Sequence, residues 1–336
     1  MRKFFNITPL AILLLLAVAT GCRRRPLEDP DYRTLVKVKV DISGISNVTC
    51  DIYNDKIPAP KIEPEAMHLL LFDEDASRVA AETFLTDVST DADGVRTVSG
   101  EVVVAPGTYR YLAYDFGTEA TLVRNYNVWD EAEAYTESAP SSIQKRFRSR
   151  SGEPLNILEE PDHLVVAARE REMIPYHEGT YTIYAEARSV VESWYLQIKI
   201  DGLEYVSSAQ AVLSGMVGSD LIATDTRVTD PEAVVWFNMQ KSDDKGVPVI
   251  CTIFGTFGHI ERSTNDLEVT FNIRTTDGKT VVKTFDISGL FETENAINHH
   301  WLLLEETIKI DPPQQTGGGF DPKVDDWDEE HHDVII

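Results

Sequence analysis

The chain has 336 residues, of which 31 are Lys or Arg and 56 are Asp or Glu, so its formal net charge at pH 7 is −25. This acidity argues against nucleic acid and bare anionic lipid as partners, because both would repel the protein, and it mainly supports solubility. The length exceeds that of one ordinary hydrophobic core and therefore predicts two domains.

The chain begins with the pattern of a lipoprotein signal. A basic tip, Arg2-Lys3, precedes an apolar run over residues 7–19, and small residues then lead into Cys22. The run is short for a membrane span, and small side chains before the cut fit a signal peptidase. We predict a signal peptide over residues 1–21 and lipidation of Cys22, with an uncleaved signal anchor as the alternative. Two or three acyl chains would hold the protein on a bilayer essentially permanently.

The first domain is predicted over residues 34–172, after a lipidated N-terminus and charged, proline-containing tether at residues 22–33. Apolar and charged residues alternate from Leu35 to Ile42, which predicts a half-buried strand. Ala105-Pro106-Gly107 is a turn between two runs of strong strand formers and predicts a β-hairpin. Further strands are predicted at residues 66–72, 95–104, 109–116 and 163–168.

Residues 124–154 interrupt the strand pattern with scattered acids, prolines and a basic island at 145–150. They predict a long surface insertion that could hold one short helix. The basic island could contact lipopolysaccharide phosphates or a protease, but the favoured interpretation is a solvated loop that balances nearby acids.

The second domain is predicted over residues 173–311, where short strands recur. Asp277-Gly278 is a hairpin turn between two alternating runs. Strands are predicted at residues 181–187, 195–200, 210–213, 234–239, 247–257, 267–274, 280–287 and 301–310. Many short strands with few helical patterns indicate an all-β fold of two tandem Greek-key β-sandwiches. Residues 312–336 are predicted to be a Gly-rich hinge and an acidic tail.

Two cysteines remain beyond Cys22, and the predicted boundary places them in different domains. An oxidising envelope would permit a disulfide between Cys50 and Cys251. Cys251 lies in an apolar run, however, where a buried free thiol is an ordinary core residue. Free thiols are the favoured interpretation, and the pairing stays open.

Local signatures of catalysis are absent from the sequence, which has no Gly-x-Ser-x-Gly, His-Glu-x-x-His, Cys-x-x-Cys or Gly-rich phosphate loop. We therefore predict no enzymatic activity, no cofactor and no metal. Adjacent histidines on a strand point to opposite faces, so the pairs at 299–300 and 331–332 suit one metal site poorly. The acidic groups at 73–75 and 91–93 are interpreted as turns, and residues 325–329 as a solvated tract.

Aromatic residues cluster at the end of the predicted hairpin and could stack on sugar rings. Alternation along a strand places Tyr109 and Tyr111 on one face and Tyr114 and Phe116 on the other. Core packing is therefore the favoured interpretation of all four rings.

Several stretches together carry a family resemblance. They are the lipobox ending in Cys22, residues 25–28, 105–114, 161–164, 213–216, 256–258 and 298–301, and the Gly-Gly-Gly-Phe tail with Trp327. In this order the chain resembles the fimbrillin-like lipoproteins of Bacteroidetes, which include the minor-fimbria anchor group, type V pilus subunits and related families of unassigned function. The resemblance implies two transthyretin-like β-sandwiches in tandem, in agreement with the strand count.

The resemblance also implies a role. It implies a non-enzymatic fimbrial (pilus) anchor or accessory subunit, held in the outer membrane by lipid and bound to other subunits by β-strand complementation. Stalk subunits of the family lose an N-terminal strand after an arginine, which makes Arg33 a candidate protease site. An anchored subunit should keep that bond, because its cleavage would sever Cys22. The tail at 320–336 is either a donor segment or a disordered end.

A surface glycan-binding lipoprotein of a polysaccharide-uptake system is the alternative from another class. It would share the lipid, the acidity and the sandwiches, but it should expose an aromatic platform. Whether the protein faces outward or into the periplasm stays open.

Overall fold

The computed structural model describes residues 32–45, 50–58, 60–147, 155–261 and 267–313. The predicted signal peptide, Cys22, most of the tether, part of the basic island and the acidic tail lie outside these residues. Nearly all regular structure in the described residues is strand, which confirms the predicted all-β class. None of the helices in this part of the chain is long and apolar enough to cross a membrane.

The strands follow one another in chain order through both halves. In the first half they are β1 (Thr34–Asp41), β2 (Met67–Asp73), β3 (Val79–Leu85), β4 (Asp87–Thr90), β5 (Arg96–Val104), β6 (Gly107–Asp115), β7 (Thr121–Arg124), β8 (Glu133–Thr136), β9 (Ile157–Glu159), β10 (Val165–Ile174), β11 (Thr180–Glu186) and β12 (Arg188–Ser189). In the second half they are β13 (Glu192–Asp201), β14 (Val206–Met216), β15 (Ser219–Leu221), β16 (Thr226–Val228), β17 (Ala233–Asp244), β18 (Val247–Thr256), β19 (Glu268–Thr275), β20 (Thr280–Asp286) and β21 (Trp301–Lys309). Two short helices are α1 (Ser141–Gln144) and α2 (Glu294–His299).

The first sandwich consists of two facing sheets. One has the order β11–β1–β5–β4 and the other the order β12–β10–β6–β2–β3. Alternate residues of β1 point into the core, so that Val36, Val38 and Val40 are buried while the lysines between them are half-buried. This confirms the alternating strand predicted from Leu35 onward.

The predicted hairpin between β5 and β6 is wrong, although both strands exist. β5 pairs with β1 and β4 in one sheet, and β6 pairs with β2 and β10 in the other. The turn at residues 105–107 therefore carries the chain across the core. The apolar residues of both strands, such as Val102 and Tyr111, belong to one buried cluster, and they meet there from opposite sheets.

The predicted domain boundary at residue 173 falls inside β10 and needs correction. The next strand, β11, pairs in parallel with β1, from Leu35 opposite Thr180 to Asp41 opposite Glu186. Its residues Ile183 and Ala185 are buried in the core of the first sandwich. The first sandwich thus continues to Ser189 at the end of β12. β11 provides the hydrogen-bonding partner for the second edge of β1, and β12 pairs with β10 in the other sheet.

The second sandwich is one sheet folded on itself, with the order β20–β19–β14–β17–β18–β13–β21. The fold occurs at β17, whose residues 233–239 pair with β14 and whose residues 240–244 pair with β18. Between the two layers, the rings of Phe237 and Phe254 stack with centroids 4.3 Å apart. The predicted hairpin at Asp277-Gly278 is confirmed, since β19 and β20 pair antiparallel across it.

Two segments of the first half, which we call the straps, lie across the outer faces of the second sandwich. The first strap, residues 50–58, buries Ile57 against Tyr195 and Cys251. Its Tyr53 hydroxyl donates to Asp244 at 2.8 Å, and the indole of Trp301 donates to the carbonyl of Asp51 at 2.6 Å. Cys50 therefore belongs to a segment that packs on the second half, which the predicted division did not anticipate.

The second strap, residues 137–147 and 155–159, overlaps the predicted surface insertion. Its α1 helix and the residues that follow bury Ile143 and Phe147 against Val212 of the second sandwich. Its strand β9 pairs in parallel with β17. The predicted short helix is present as α1, and Lys145 and Arg146 of the basic island are exposed. The apolar side chains of this strap nevertheless cover a sheet face of the second sandwich, which the prediction of a surface insertion did not include.

A small sheet joins the two halves. It has the order β16–β15–β8–β7, and β8 of the first half pairs with β15 of the second. Trp129, which is 1% exposed, packs beneath this sheet against the outer face of the first sandwich. The buried cluster there draws on both halves and includes Phe72, Leu112, Val217 and Phe257.

Candidate interaction surfaces

The tether enters the first sandwich at Arg33, which is exposed and directly precedes β1. The hydroxyl of Thr34 donates to the carbonyl of Pro175 at 2.8 Å and accepts from the backbone N–H of His177 at 3.1 Å. Cleavage after Arg33 would therefore detach the tether but leave β1 in its sheet. Arg33 as a protease site and Cys22 as the lipidated residue stay predictions, and Cys22 lies outside the described residues.

The sides of the first sandwich are closed by strands that pass from one sheet to the other. β3 continues into β4 through Thr86, whose N–H donates to the carbonyl of Ser99 at 3.1 Å. On the opposite side, β11 continues into β12 through Ala187, whose N–H donates to the carbonyl of Asp41 at 3.0 Å. With β1 buried between β5 and β11, the core of this sandwich is filled by its own chain.

The second sandwich has an open side between its end strands, β20 and β21. Within the described residues, β20 pairs only with β19. Its Val281 and Phe285 are partly buried against the core, while Val282 is 51% exposed. The connection to β21 covers one end of this side with the buried residues Ile287 and Phe291. The free edge of β20 therefore presents backbone groups next to an incompletely covered core.

The histidine pair at 299–300 ends helix α2, and its two rings have separate partners. His299 stacks on Trp301, and its Nδ1 forms a hydrogen bond with Oδ2 of Asp51 at 2.5 Å. His300 stacks on Trp194 with ring centroids 4.4 Å apart. The two rings thus belong to different contacts, and the pair at 331–332 lies outside the described residues.

The acidic groups of the first half form turns, as interpreted from the sequence. Oδ1 of Asp91 accepts from the N–H groups of Asp93 and Val95, both at 2.9 Å. The carboxylate of Asp73 accepts from the backbone and side chain of Arg78, at 3.2 and 3.1 Å. These carboxylates are therefore occupied by neighbouring donors.

Three of the four predicted core aromatics are buried, namely Tyr109, Tyr111 and Tyr114, and they divide between two core clusters as the alternation predicts. Phe116 is the exception, because β6 ends one residue earlier and the ring is 49% exposed.

Phe116 instead begins a row of rings on the protein surface that sequence analysis did not identify. Its centroid lies 5.3 Å from that of Phe84, which stacks at 4.8 Å on His68, and His68 lies 5.5 Å from Tyr126. Phe84 is 56% exposed and Tyr126 is 41% exposed. We call these four residues the aromatic row.

His68 holds the row in place. Its Nδ1 and the Tyr114 hydroxyl form a hydrogen bond of 2.9 Å, and its Nε2 lies 3.5 Å from Oε2 of Glu82. Burial lowers the pKa of His68, although Glu82 acts in the opposite direction. In the sequence, the residue that could have indicated the aromatic row is Phe84, an apolar residue on the outward face of the edge strand β3.

Cys50 and Cys251 are both free and buried, as the favoured interpretation predicts. Burial raises the pKa of the Cys50 thiol to about 11, and burial also raises the pKa of Cys251. Both thiols are consequently protonated at neutral pH.

Asp162 and His163, from one of the motifs that carry the family resemblance, have polar partners in the first half. The carboxylate of Asp162 accepts from the N–H of Glu119 at 2.7 Å and from the N–H and hydroxyl of Thr121 at 2.9 and 2.7 Å. Burial opposes its ionisation, but these hydrogen bonds lower its pKa overall. His163 lies 3.2 Å from Asp115, and the hydrogen bond to that carboxylate raises the pKa of His163.

A buried carboxyl lies beside this motif. Burial raises the pKa of Glu160 to about 7, even though its carboxylate accepts from the N–H of Gly255 at 3.3 Å. A Cβ atom at Gly255 would lie 2.1 Å from the carbonyl oxygen of Pro161. The glycine therefore permits the close approach of β18 to the motif segment.

A cleft of about 840 Å³ lies next to another group of motif residues in the second half. Trp194, His259, Phe291 and His300 line it together with Arg227 and Glu192, which form an ion pair. Burial lowers the pKa of His259. No local pattern in the sequence indicates this cleft, because its walls come from several separate stretches of the chain.

Comparisons with known proteins place these features in context. A family described as a domain of unknown function (DUF5119) matches residues 21–238. A curated Bacteroides ovatus protein, provisionally named fimbrium anchoring subunit Fim4B, is 22% identical over 354 residues, covering 95% of this chain and 94% of that protein.

Solved structures show a corresponding likeness in fold. One from Bacteroides ovatus, provisionally described as an adhesin, is 20% identical and has a TM-score of 0.60, covering 88% of this chain and 98% of that one. The fimbrial anchor protein Mfa2 of Porphyromonas gingivalis is 12% identical, with a TM-score of 0.43 over 78% of this chain and 85% of that one. The family match and the similarity to the two Bacteroides ovatus proteins confirm the resemblance stated from the sequence.

Proposed function

The chain belongs to the DUF5119 family, and we propose that it is a fimbrial anchor or accessory subunit of the outer membrane. The observation that carries the proposal is the similarity to the fimbrium anchoring subunit of Bacteroides ovatus over nearly the full length of both chains. In this role the lipid on Cys22 holds the protein to the membrane, and the sandwiches hold other fimbrial subunits. The role is non-enzymatic and needs no cofactor.

The position of β1 supports an anchor rather than a stalk subunit. Val36, Val38 and Val40 of β1 are at most 1% exposed, and the strand pairs on both edges, with β5 and with β11. Loss of β1 would uncover the core of the first sandwich along its full length. A subunit that retains β1 keeps its complete core, and one that is also uncut at Arg33 keeps its continuous link to Cys22.

The open side of the second sandwich supports binding of other subunits by strand complementation. An extended segment that pairs with β20 would satisfy the backbone groups of its free edge. Its inward side chains would cover Val281 and Phe285, which are only partly buried. Strand addition at β20 therefore combines directional hydrogen bonds with burial of apolar surface.

Two neighbouring proline variants test this contact. Successive N–H groups of an edge strand point alternately toward the sheet and away from it, so one of Val282→Pro and Lys283→Pro removes a donor from the free edge. We expect that variant to reduce co-purification of cross-linked fimbrial subunits by about tenfold, equivalent to ~1.4 kcal/mol, with an unchanged melting temperature.

The other proline variant provides the internal control. It removes a donor from the β19–β20 ladder and should lower the melting temperature instead. Strand addition at β20 is refuted if both variants remain folded and retain every fimbrial subunit that the unmodified protein captures.

Glycan binding is a second candidate function, and the aromatic row is the observation that favours it. Phe84 and Phe116 are each about half exposed, and their ring centroids lie 5.3 Å apart with the planes at 61° to each other. Exposed aromatic faces beside a carboxylate such as Glu82 can stack on a sugar ring and accept hydrogen bonds from its hydroxyls.

A double variant decides whether the row binds glycans. We expect Phe84→Ala/Phe116→Ala to weaken retardation of the protein in polysaccharide-containing gels by about tenfold if the row is a sugar platform. Tyr184→Ala is the matched control, because Tyr184 is 70% exposed and lies on the other sheet of the first sandwich. Equal retardation of both variants and the unmodified protein would rule out the row as a glycan site.

A further inference from the structure

Exposed apolar side chains gather where the tether meets the first sandwich. The rings of Tyr32 and Tyr176 stack with centroids 4.7 Å apart and an angle of 8° between their planes. Tyr32 is 54% exposed and Tyr176 is 44% exposed, and nearby Met173 is 70% exposed. We call these three residues the exit patch.

The exit patch is fixed to one end of the sandwich. Thr34 hydrogen-bonds to both residues that flank Tyr176, namely Pro175 and His177. β1 begins at Thr34 and β10 ends at Ile174, so the two tyrosines lie beyond the strand ends and Met173 is the next-to-last residue of β10. Stacked rings held by neighbouring backbone contacts lose little conformational entropy when they bind a surface.

The second sandwich is reached from the opposite end of the same strands. After β1 ends at Asp41 the chain continues into the first strap, and after β11 ends at Glu186 it continues through β12 into β13. Both connections leave the first sandwich at the end away from Thr34 and Thr180. The exit patch is thus remote from the links to the second half.

The reach of the tether limits what can cover the patch. Ten residues separate Cys22 from Arg33. Their fully extended length is about 35 Å, and a chain of mixed charge with two prolines will usually span less. If Cys22 is lipidated, as the proposed function holds, the lipid surface always lies within that distance of Tyr32.

We propose that the exit patch rests in the headgroup zone of the bilayer, so that the first sandwich lies against the membrane and the second sandwich points away from it. Tyrosine is suited to this zone, because its ring is apolar and its hydroxyl remains hydrated. Met173, three residues before Tyr176 in the chain, adds a flexible and exposed apolar side chain. The lipid confines the protein near the surface, and the patch sets its orientation.

Photolabelling of the intact lipoprotein tests this orientation. The mature lipidated protein is reconstituted into phosphatidylcholine vesicles that carry a photoreactive group on the headgroup of a minor lipid, and labelled peptides are identified by mass spectrometry. We expect peptides that contain Tyr32, Met173 or Tyr176 to be labelled about tenfold more than the peptide with Ile297, which is 67% exposed on the second half.

Two variants separate this proposal from the anchoring on which it rests. Tyr32→Ser/Tyr176→Ser should lose the preferential labelling but stay in the vesicle fraction, since its lipid is intact. Uniform labelling of the unmodified protein while it stays with the vesicles would overturn the orientation alone. So would cross-links between the exit patches of two copies in place of lipid labels. An unmodified protein that remains in the supernatant would instead overturn the anchoring.

Discussion

Replacement of Cys22 by alanine is expected to move the protein from the membrane fraction to the soluble fraction. The predicted diacylglyceryl and N-acyl chains provide the attachment, at about 0.8 kcal/mol for each buried methylene. The helices of the described residues offer no alternative span. Cell fractionation followed by immunoblotting measures the shift, which we expect to be almost complete.

Cys50→Ala is the matched control for this experiment. Cys50 is free and only 3% exposed, so its replacement should leave the protein in the membrane fraction. Continued tight attachment of the Cys22→Ala protein would contradict the lipid assignment, and it would leave the first sandwich to be held by some other contact.

Replacement of Trp129 by alanine is expected to lower the free energy of unfolding by about 3–5 kcal/mol, the usual range for loss of a large buried aromatic side chain. Trp129 is 1% exposed, its ring centroid lies 5.5 Å from that of Phe72, and the guanidinium of Arg110 lies 5.6 Å from its ring. The cavity would open within the cluster that joins the halves. Chemical denaturation followed by circular dichroism measures the loss.

Trp129→Phe distinguishes packing from hydrogen bonding at this position. Nε1 of Trp129 is buried and has no hydrogen-bond partner among the described residues, so replacement by phenylalanine removes no hydrogen bond. We expect the phenylalanine variant to lose roughly 1–2 kcal/mol, because it leaves a much smaller cavity. Equal losses for both variants would show that the stability does not depend on the volume of the ring.

Local patterns in the sequence predict where the strands of this protein lie better than they predict which strands pair with each other. The alternation of β1 is readable because a strand that covers one core face has a period of two. The turn at residues 105–107 is also readable, but a Pro-Gly turn does not specify whether the next strand stays in the same sheet. The predicted hairpin is wrong because it assumes that the strands on either side of this turn belong to one sheet.

The straps and the boundary depend on contacts between distant parts of the chain. Nothing local marks residues 50–58, 137–147 or 155–159 as segments that cover another domain, since they hold only a few apolar residues among polar ones. The aromatic row and the exit patch likewise arise when separate segments meet. Cys22, in contrast, is predicted from its local context alone, because a signal peptidase recognises the residues directly around the cleavage site.

The straps determine how the molecule would carry a mechanical load. A pull on the tether acts along β1 and would shear two ladders at once, those with β5 and β11, instead of opening them one bond at a time. Tension that continues toward the second sandwich must also strip Ile57 and Phe147 from the sheet faces that they cover. The two halves would therefore resist traction as one body, and the tether would extend before either sandwich yields.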